Sequence, residues 1–213
     1  MKIIDFEGID GSSKTTSLKF VAEQLRERGY RVIETREVGN THIPTAVKLR
    51  EIVLSPDSEM NGRAMELVFS AMRLMNQDFY KKVEGEYDFC LNDRGWFSHL
   101  AYTDHNVDEA FTYALYPGLL EKYSQFPNIV IHLVVNPQTA LERRHLRNGV
   151  VDVIEAKGPI FQEKVAASFE KWKKRYASQV NVWNVIADGD LASVQKQLLG
   201  LVDNLDRGEK VGC

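Results

Sequence analysis

Cysteine is almost absent from this 213-residue chain: there are 2, Cys90 inside an apolar run and Cys213 at the last position. Neither falls in a metal-ligand spacing and together they make no disulfide framework, so a cross-linked secreted scaffold and a zinc module are set aside. A reducing, cytoplasmic compartment is the expectation. Long hydrophobic runs are missing as well. The longest, Ile129 to Val135, is interrupted by His132 and reaches about a third of a membrane span. The N-terminus passes from Met1-Lys2 through three apolar positions to Asp5 and Glu7, far short of the apolar core of a secretory signal. No membrane partner is therefore expected. Positive charge is not in excess either, with 27 Lys and Arg against 30 Asp and Glu and a net charge of −3. Such a chain offers no overall field to hold a nucleic-acid backbone, and any anionic ligand must be met by a local cluster.

What is present is ordinary globular composition, 44% hydrophobic and 27% charged, in a length that suits a single domain of residues 1–213. Five stretches read as strands: Lys2–Glu7, Tyr30–Thr35, Tyr87–Asn92, Asn128–Val135 and Val180–Ala187. Most are dense in Val, Ile and Leu without alternation, as in strands covered on both faces. Between them lie helical stripes: Leu18, Val21, Ala22 and Leu25; Phe161, Val165, Phe169, Trp172 and Tyr176; and Leu191, Val194, Leu198, Leu201 and Leu205. Strands alternating with helices predict an α/β fold, a three-layer domain around a five-stranded parallel sheet flanked by helices. Ligands in such folds sit at the carboxyl ends of the strands.

The first strand runs directly into Gly8-Ile9-Asp10-Gly11-Ser12-Ser13-Lys14-Thr15-Thr16 and then into the first amphipathic helix. This is the phosphate-binding pattern G-x-x-x-x-G-K-[ST] with Ser13 in place of the second glycine. Backbone N–H groups of such a loop curl around phosphates, the helix N-terminus adds partial positive charge, Lys14 reaches the outer phosphates and the Thr15 hydroxyl faces Mg²⁺. Gly8, Gly11, Ser12, Ser13, Lys14, Thr15 and Thr16 are accordingly the expected ATP-binding residues. Ser13 keeps the cradle only if its backbone tolerates a Cβ there. The plainer reading is a serine-rich helix cap.

The same stretch resembles thymidylate kinases, whose loop carries an acidic residue at the position of Asp10. Further landmarks follow in the family's order. Arg36-Glu37-Val38-Gly39-Asn40-Thr41 is similar to R-E-P-G-G-T, and Leu67 to Arg73 to L-L-F-A-A-D-R. Asp93-Arg94 with Ser98-His99-Leu100-Ala101-Tyr102 parallels D-R-Y-x-x-S-S-x-A-Y. Asn136-Pro137 with Ala140 to Arg144 parallels D-P-x-x-A-L-x-R-R, and Asp152-Val153-Ile154-Glu155 is close to D-R-I-E. The resemblance implies a P-loop kinase fold, ATP-dependent phosphorylation of dTMP to dTDP, Mg²⁺, and a homodimer packed through helices, with the apolar residues Met65, Val68 and Met72 contributing to that face.

By the same resemblance Asp10, Arg36, Phe69, Arg73, Arg94, Ser98, His99 and Tyr102 surround the acceptor. Arg36 and Arg94 contact its phosphate, as planar guanidinium groups suit a dianion. Phe69 stacks on the base and Arg73, a helical turn on, reaches its carbonyl edge; Tyr102 closes the 2′ side and Asp10 approaches the 3′-hydroxyl. Asp93, with Thr15, is the expected metal contact. Lys14, Asp10, Arg94, Arg143 and Arg147 are the expected catalytic set. The last two belong to a mobile lid of about 143–158, because Gly11 in the loop together with arginines in the lid is the arrangement of bacterial family members. Read blandly, Phe69 and Arg73 belong to a helix packed on the core, and the lid arginines to a solvated face. Two departures stand out. His99 replaces the usual Ser or Asn, and Gly95 replaces tyrosine and leaves space behind Arg94; both extend the expected acceptors to a modified pyrimidine or several deoxynucleotides. Two alternatives remain open: a deoxynucleoside kinase with Glu37 as its base, and a nucleotide-binding module in which Ser13 has abolished turnover.

Overall fold

The computed structural model describes residues 1–146 and 154–207. Its strands are β1 (Lys2–Glu7), β2 (Val32–Arg36), β3 (Phe89–Asp93), β4 (Ile129–Val134) and β5 (Asn181–Ile186). They form one parallel sheet in the order β2-β3-β1-β4-β5. The helices are α1 (Lys14–Glu27), α2 (Pro44–Leu54), α3 (Gly62–Val83), α4 (Trp96–Thr103), α5 (Glu109–Leu115), α6 (Glu121–Tyr123), α7 (Pro137–His145), α8 (Gly158–Arg175) and α9 (Leu191–Arg207). A π-helical turn, Tyr116–Leu120, joins α5 to α6. The α/β architecture read from the sequence is the one observed. Strand limits move by a residue or two, so that Arg36 and Asp93, in register with each other, are the last residues of β2 and β3 rather than loop residues.

β1, β3 and β4 are buried almost without a break, because helices cover both faces of the sheet. The edge strand β5 alternates towards its end, with Trp183 and Val185 inside and Asn184 and Ile186 outside. The strand order reverses at β1, whose neighbours are β3 and β4. The loop after β1 therefore opens where a parallel sheet places its ligand.

An aromatic cluster locks α4 onto α8. Trp96 packs edge-on against Phe126 (5.1 Å) and Tyr176 (5.9 Å), and Phe97 against Tyr176 (6.2 Å). Such pairs contribute about 0.5–1.5 kcal/mol each beyond the area they bury. The anchored helix carries Ser98, His99 and Tyr102 at fixed positions. α3 corrects one expectation. Met65 and Met72 are buried in the chain's own core, because the stripe that packs on the sheet includes them, and Val68 packs against that core. The large apolar residues α3 leaves outside are Leu67 (54% exposed) and Leu74 (37%). No helix among the described residues is long and apolar enough to cross a membrane.

Candidate active site

The loop from Gly8 to Ser13 turns the chain from β1 into α1. Ser13 lies in the left-handed region, φ 67° and ψ 25°, and its side chain does not cap the helix. The backbone thus takes the conformation a glycine adopts freely, at a cost of about 1–2 kcal/mol for a residue with a Cβ. The helix-cap reading of the serines fails for the same reason. Without a side-chain cap, the first amides of α1 remain available to an anion. Gly11 (φ +94°) lies so close to α7 that a Cβ on it would sit 2.2 Å from the Ala140 carbonyl oxygen. An arginine has no room at that position.

Lys14 is buried, and its Nζ donates to the Ile9 carbonyl (2.8 Å) and lies 3.5 Å from Ser12 Oγ. Burial and neighbouring Arg94 lower its ammonium to about 8, against the pull of Asp10, Asp93 and Glu7. Thr15, exposed at the start of α1, donates its hydroxyl to Asp93 Oδ2 (2.5 Å). Asp93 is therefore tied to the loop and does not cap α4. Thr16 is exposed one residue on.

Arg94 links the loop to the cleft beside it. It is the second non-glycine residue with a left-handed backbone (φ 73°). Its guanidinium forms an ion pair with Asp10, donates to the Gly8 carbonyl and to Ser98 Oγ (3.3 Å each), and lies 5.2 Å from the Tyr102 ring centre. Asp10 also accepts from the Tyr102 hydroxyl (3.0 Å) and from Gln162 Nε2 (3.1 Å). Burial alone would raise the Asp10 carboxyl, yet Arg94, Lys14 and these donors hold it at about 2. Ser98 is fixed from below by Glu7, which accepts from its amide (3.0 Å) and its hydroxyl. Arg36 ends β2 opposite Asp93, and its Nε is buried without a partner among the described residues.

A cavity of about 170 Å³ opens beside this pair. Asp10, Arg94, Ser98 and Tyr102 form one side, and Phe69, His99, Glu37 and Glu66 another. Arg73 is not on its wall. It is 2% exposed, ion-paired with Glu37, and stacked over the Trp96 ring at 4.5 Å. In this structure one Nη of Arg73 is engaged by the buried Glu37 carboxylate while its Nε has no partner among the described residues, and His99 lies on the wall. Arg73 and His99 together keep Glu37 at about 2 in spite of burial. Glu37 joins Val38 through a cis peptide, and Val38 also lines the cavity.

Gly95 corrects a second expectation. No space lies behind Arg94, because the Asp5 carboxylate fills it, 1.8 Å from where a Cβ on residue 95 would stand. Asp5 accepts from Asn92 Nδ2 (2.8 Å) and from the Trp96 amide (3.2 Å). Burial, with Glu37 and Glu7 nearby, raises its carboxyl well above the ordinary range.

Arg143 is a third correction. It donates to the carbonyls of Ala187 (2.7 Å), Asp188 (3.4 Å) and Gly189 (2.8 Å), tying α7 to the loop after β5. A guanidinium held by three carbonyls is a clamp on that loop and not a group directed at the phosphate cradle. Arg147, with Asn148, Gly149, Asp152 and Val153, lies outside the described residues.

Sequence reasoning missed Gln162, Glu7, Glu66 and Asn106. Glu66 is buried on the cavity wall, accepting from Thr103 Oγ1 (2.6 Å), Tyr116 Oη (3.1 Å) and Asn106 Nδ2 (2.8 Å). A polar residue at a helical core position was the only signal for it. Gln162, 152 positions from Asp10, left none.

Comparison with known proteins finds relatives over most of the chain. The family model described as thymidylate kinase matches residues 6–197. The chain is 28% identical over 208 residues to a thymidylate kinase of an Exiguobacterium species, covering 96% of each chain. It is 32% identical over 174 residues to the thymidylate kinase of Thermosipho africanus, covering 80% of this chain and 84% of the relative. To that of Geobacillus thermodenitrificans it is 31% identical over 188 residues, with coverage of 83% and 79%.

Proposed function

The chain belongs to the thymidylate kinase family of nucleoside monophosphate kinases, and from that premise we propose that it transfers the γ-phosphoryl group of ATP to dTMP, giving dTDP and ADP. The observation that carries this reading is the Arg94–Asp10 pair, which belongs at once to the phosphate loop and to the cavity lined by Phe69 and Tyr102. Two nucleotides end to end suit that arrangement, the donor's phosphates on the loop and the acceptor's monophosphate between Arg94 and Arg36.

The chemistry needs positioning and charge neutralisation more than covalent help. An oxygen of the acceptor phosphate forms the new bond to the γ-phosphorus as the bond to the bridging oxygen of ADP breaks. That nucleophile is already ionised, so no protein base is required. Lys14 leaves the Ile9 carbonyl for the donor phosphates, and the amides at the start of α1 hold their oxygens. The Thr15 hydroxyl and Asp93 carboxylate, neighbours with hard oxygen donors, fit Mg²⁺, which takes one or two protein oxygens and completes its shell with phosphates and water. Bound there, Mg²⁺ neutralises charge on the transferring phosphates. Among the described residues no cluster of three or more acidic, His or Cys side chains forms a separate metal cage.

The ion pair of Glu37 with Arg73 favours this reading over a deoxynucleoside kinase. A carboxylate held at about 2 and ion-paired with Arg73 is too weak a base for a neutral hydroxyl. The same reading takes residues 1–213 as one kinase domain with a lid near 143–158, working in the cytoplasm, where the buried thiol of Cys90 stays reduced. It takes the active form as a homodimer, with Leu67 and Leu74, a heptad apart on α3, at its interface. The test is ADP release coupled to product identification with dTMP, dCMP and thymidine, with and without Mg²⁺. Release with thymidine and none with dTMP would overturn the proposal, and nucleotide binding without release would favour a binding module.

A further inference from the structure

Glu7 takes no part in the transfer chemistry, yet its side chain is fully buried at the end of β1, immediately before the phosphate loop. Burying a carboxylate is costly unless its oxygens are paired or hydrogen-bonded. Among the described residues no Lys or Arg meets Glu7 directly, and both of its oxygens go to a single residue of α4. Oε1 accepts from the Ser98 amide (3.0 Å) and Oε2 from the Ser98 hydroxyl. Burial raises the carboxyl, and the two Ser98 donors, with Arg94 and Lys14 farther off, oppose that rise.

Donor and acceptor chemistry fixes the direction of the Ser98 hydroxyl. A guanidinium offers only donors, and Arg94 Nη1 donates to Ser98 Oγ at 3.3 Å, so that oxygen presents a lone pair to Arg94 and sends its one hydrogen to Glu7. Arg94 Nη1 also donates to the Gly8 carbonyl (3.3 Å), and Nη2 meets Asp10. The guanidinium is thus held by two residues of the phosphate loop and by one of the acceptor wall. The contact on the wall side depends on an acceptor standing behind the hydroxyl, and Glu7 is that acceptor. Two donors of Ser98 face two oxygens of Glu7. An amide in its place has one oxygen: with that oxygen on the Ser98 amide its nitrogen faces the hydroxyl, and with it on the hydroxyl its nitrogen faces the amide.

Resting on the function proposed above, we infer that Glu7 is a positioning residue for the acceptor's phosphate, setting the place of the Arg94 guanidinium through the Ser98 hydroxyl. Its effect falls on the acceptor and not on ATP. A carboxylate that only capped α4 would need a single oxygen, for the Ser98 amide. The second oxygen is the one linked to Arg94, and deleting the Ser98 hydroxyl cuts that link while leaving the amide contact in place.

The test is a double-variant cycle on the full-length protein: Glu7→Gln, Ser98→Ala and the two together. Binding of dTMP and of ATP is measured separately by calorimetric titration, and turnover by ADP release. Glu7→Gln is expected to weaken dTMP binding and raise its KM about five- to tenfold, the cost of one misdirected buried hydrogen bond. ATP should bind as it does to the wild type. Ser98→Ala should weaken dTMP to a similar extent. With the hydroxyl gone, the amide oxygen at position 7 satisfies the one donor left, so adding Glu7→Gln to Ser98→Ala should change dTMP binding by no more than about twofold. A residue that only caps the helix gives a different pattern, in which the two losses multiply or fall equally on dTMP and ATP. Either pattern, or unchanged dTMP binding in a folded Glu7→Gln, overturns the inference while leaving the kinase reading intact. Should Glu7→Gln not fold, Glu7→Asp, which keeps the carboxylate and shortens its reach to the hydroxyl, takes its place in the cycle with the same expectations. Absence of dTDP from the wild-type protein overturns the kinase reading itself.

Discussion

Gly95→Ala tests the correction made behind Arg94, and the structure sets its cost. The backbone there is extended (φ −169°) and accepts any residue, so the whole penalty is the contact between a new Cβ and the Asp5 carboxylate, 1.8 Å from Oδ2 and 2.2 Å from Cγ. The carboxylate can retreat only by giving up Asn92 Nδ2 at 2.8 Å and the Trp96 amide at 3.2 Å. Overpacking of this kind costs about 1–3 kcal/mol and each of the two lost hydrogen bonds about 1 kcal/mol, so Gly95→Ala is expected to destabilise by about 3–5 kcal/mol. Asp5→Ala leaves the two donors unpaired but removes a carboxyl that burial already penalises, for a net loss of about 2 kcal/mol. In the double variant the new Cβ meets no carboxylate. Its loss should stay near that of Asp5→Ala alone, giving a favourable coupling as large as the Gly95→Ala loss itself. Urea unfolding of the four proteins followed by circular dichroism measures this cycle. Additivity within about 0.5 kcal/mol would refute the contact, because independent sites add to that precision.

Three further outcomes are expected. Ser13→Gly relieves the left-handed strain, about 1–2 kcal/mol, and gives back about 0.4–1 kcal/mol of unfolded-chain entropy, so thermal unfolding should rise by about 1–3 °C with turnover retained; a lower melting temperature refutes the strain. Lys14, lowered to about 8 by burial and Arg94, loses its charge above that pH. The value of kcat/KM for ATP should then fall on the alkaline side near pH 8, and Lys14→Arg should move that limb upward; an unmoved limb assigns it to another group. His132 is buried in β4 beside Lys173 (3.0 Å) and lowered to about 4. Between its ordinary 6.5 and 4 the unfolded chain binds a proton that the folded chain refuses. Stability is therefore full above pH 6.5 and falls by about 1.4 kcal/mol per unit towards pH 4. Unfolding at pH 7 and pH 5 should lose about 2 kcal/mol more in the wild type than in His132→Asn, and equal losses would remove His132 as the cause.

The sequence discloses this site unevenly, for physical reasons. The phosphate loop is contiguous, so nine consecutive residues, Gly8 to Thr16, carry strand, turn and helix start in one reading. The sheet is legible because the strands are covered on both faces and their apolar runs need no partner to be recognised. The acceptor wall is assembled from α3, α4 and the ends of β2 and β3, and its meaning lies in pairings rather than in residue types. Arg73 reads the same whether it faces a base or a buried carboxylate. Only the position of Glu37, at the end of another strand, decides that it faces the carboxylate. Gly95 likewise reads as empty space until Asp5, in register on the neighbouring strand with Asn92, is seen to occupy it. Arg143 looks like a lid arginine because the loop that holds it begins at Ala187.

These pairings bear on how the proposed acceptor is held. Of the cations expected to meet phosphate, Lys14 is engaged by the Ile9 carbonyl, Arg94 by Asp10 and Arg143 by the loop after β5, whereas the Nε of Arg36 has no partner among the described residues. In the proposed reading Arg36 offers the acceptor's phosphate this unpartnered Nε, and Arg94 must divide its donors between the phosphate and Asp10. A planar guanidinium has five N–H groups and can serve both. The division becomes easier if something else donates to Asp10, and in the proposed reading the acceptor's 3′-hydroxyl does so. Sugar and phosphate are then coupled through one ion pair: the hydroxyl relieves Asp10, and the relieved Arg94 turns more of its donors to the phosphate. An acceptor lacking that hydroxyl would lose more than one hydrogen bond, because the same absence keeps Arg94 committed to the loop.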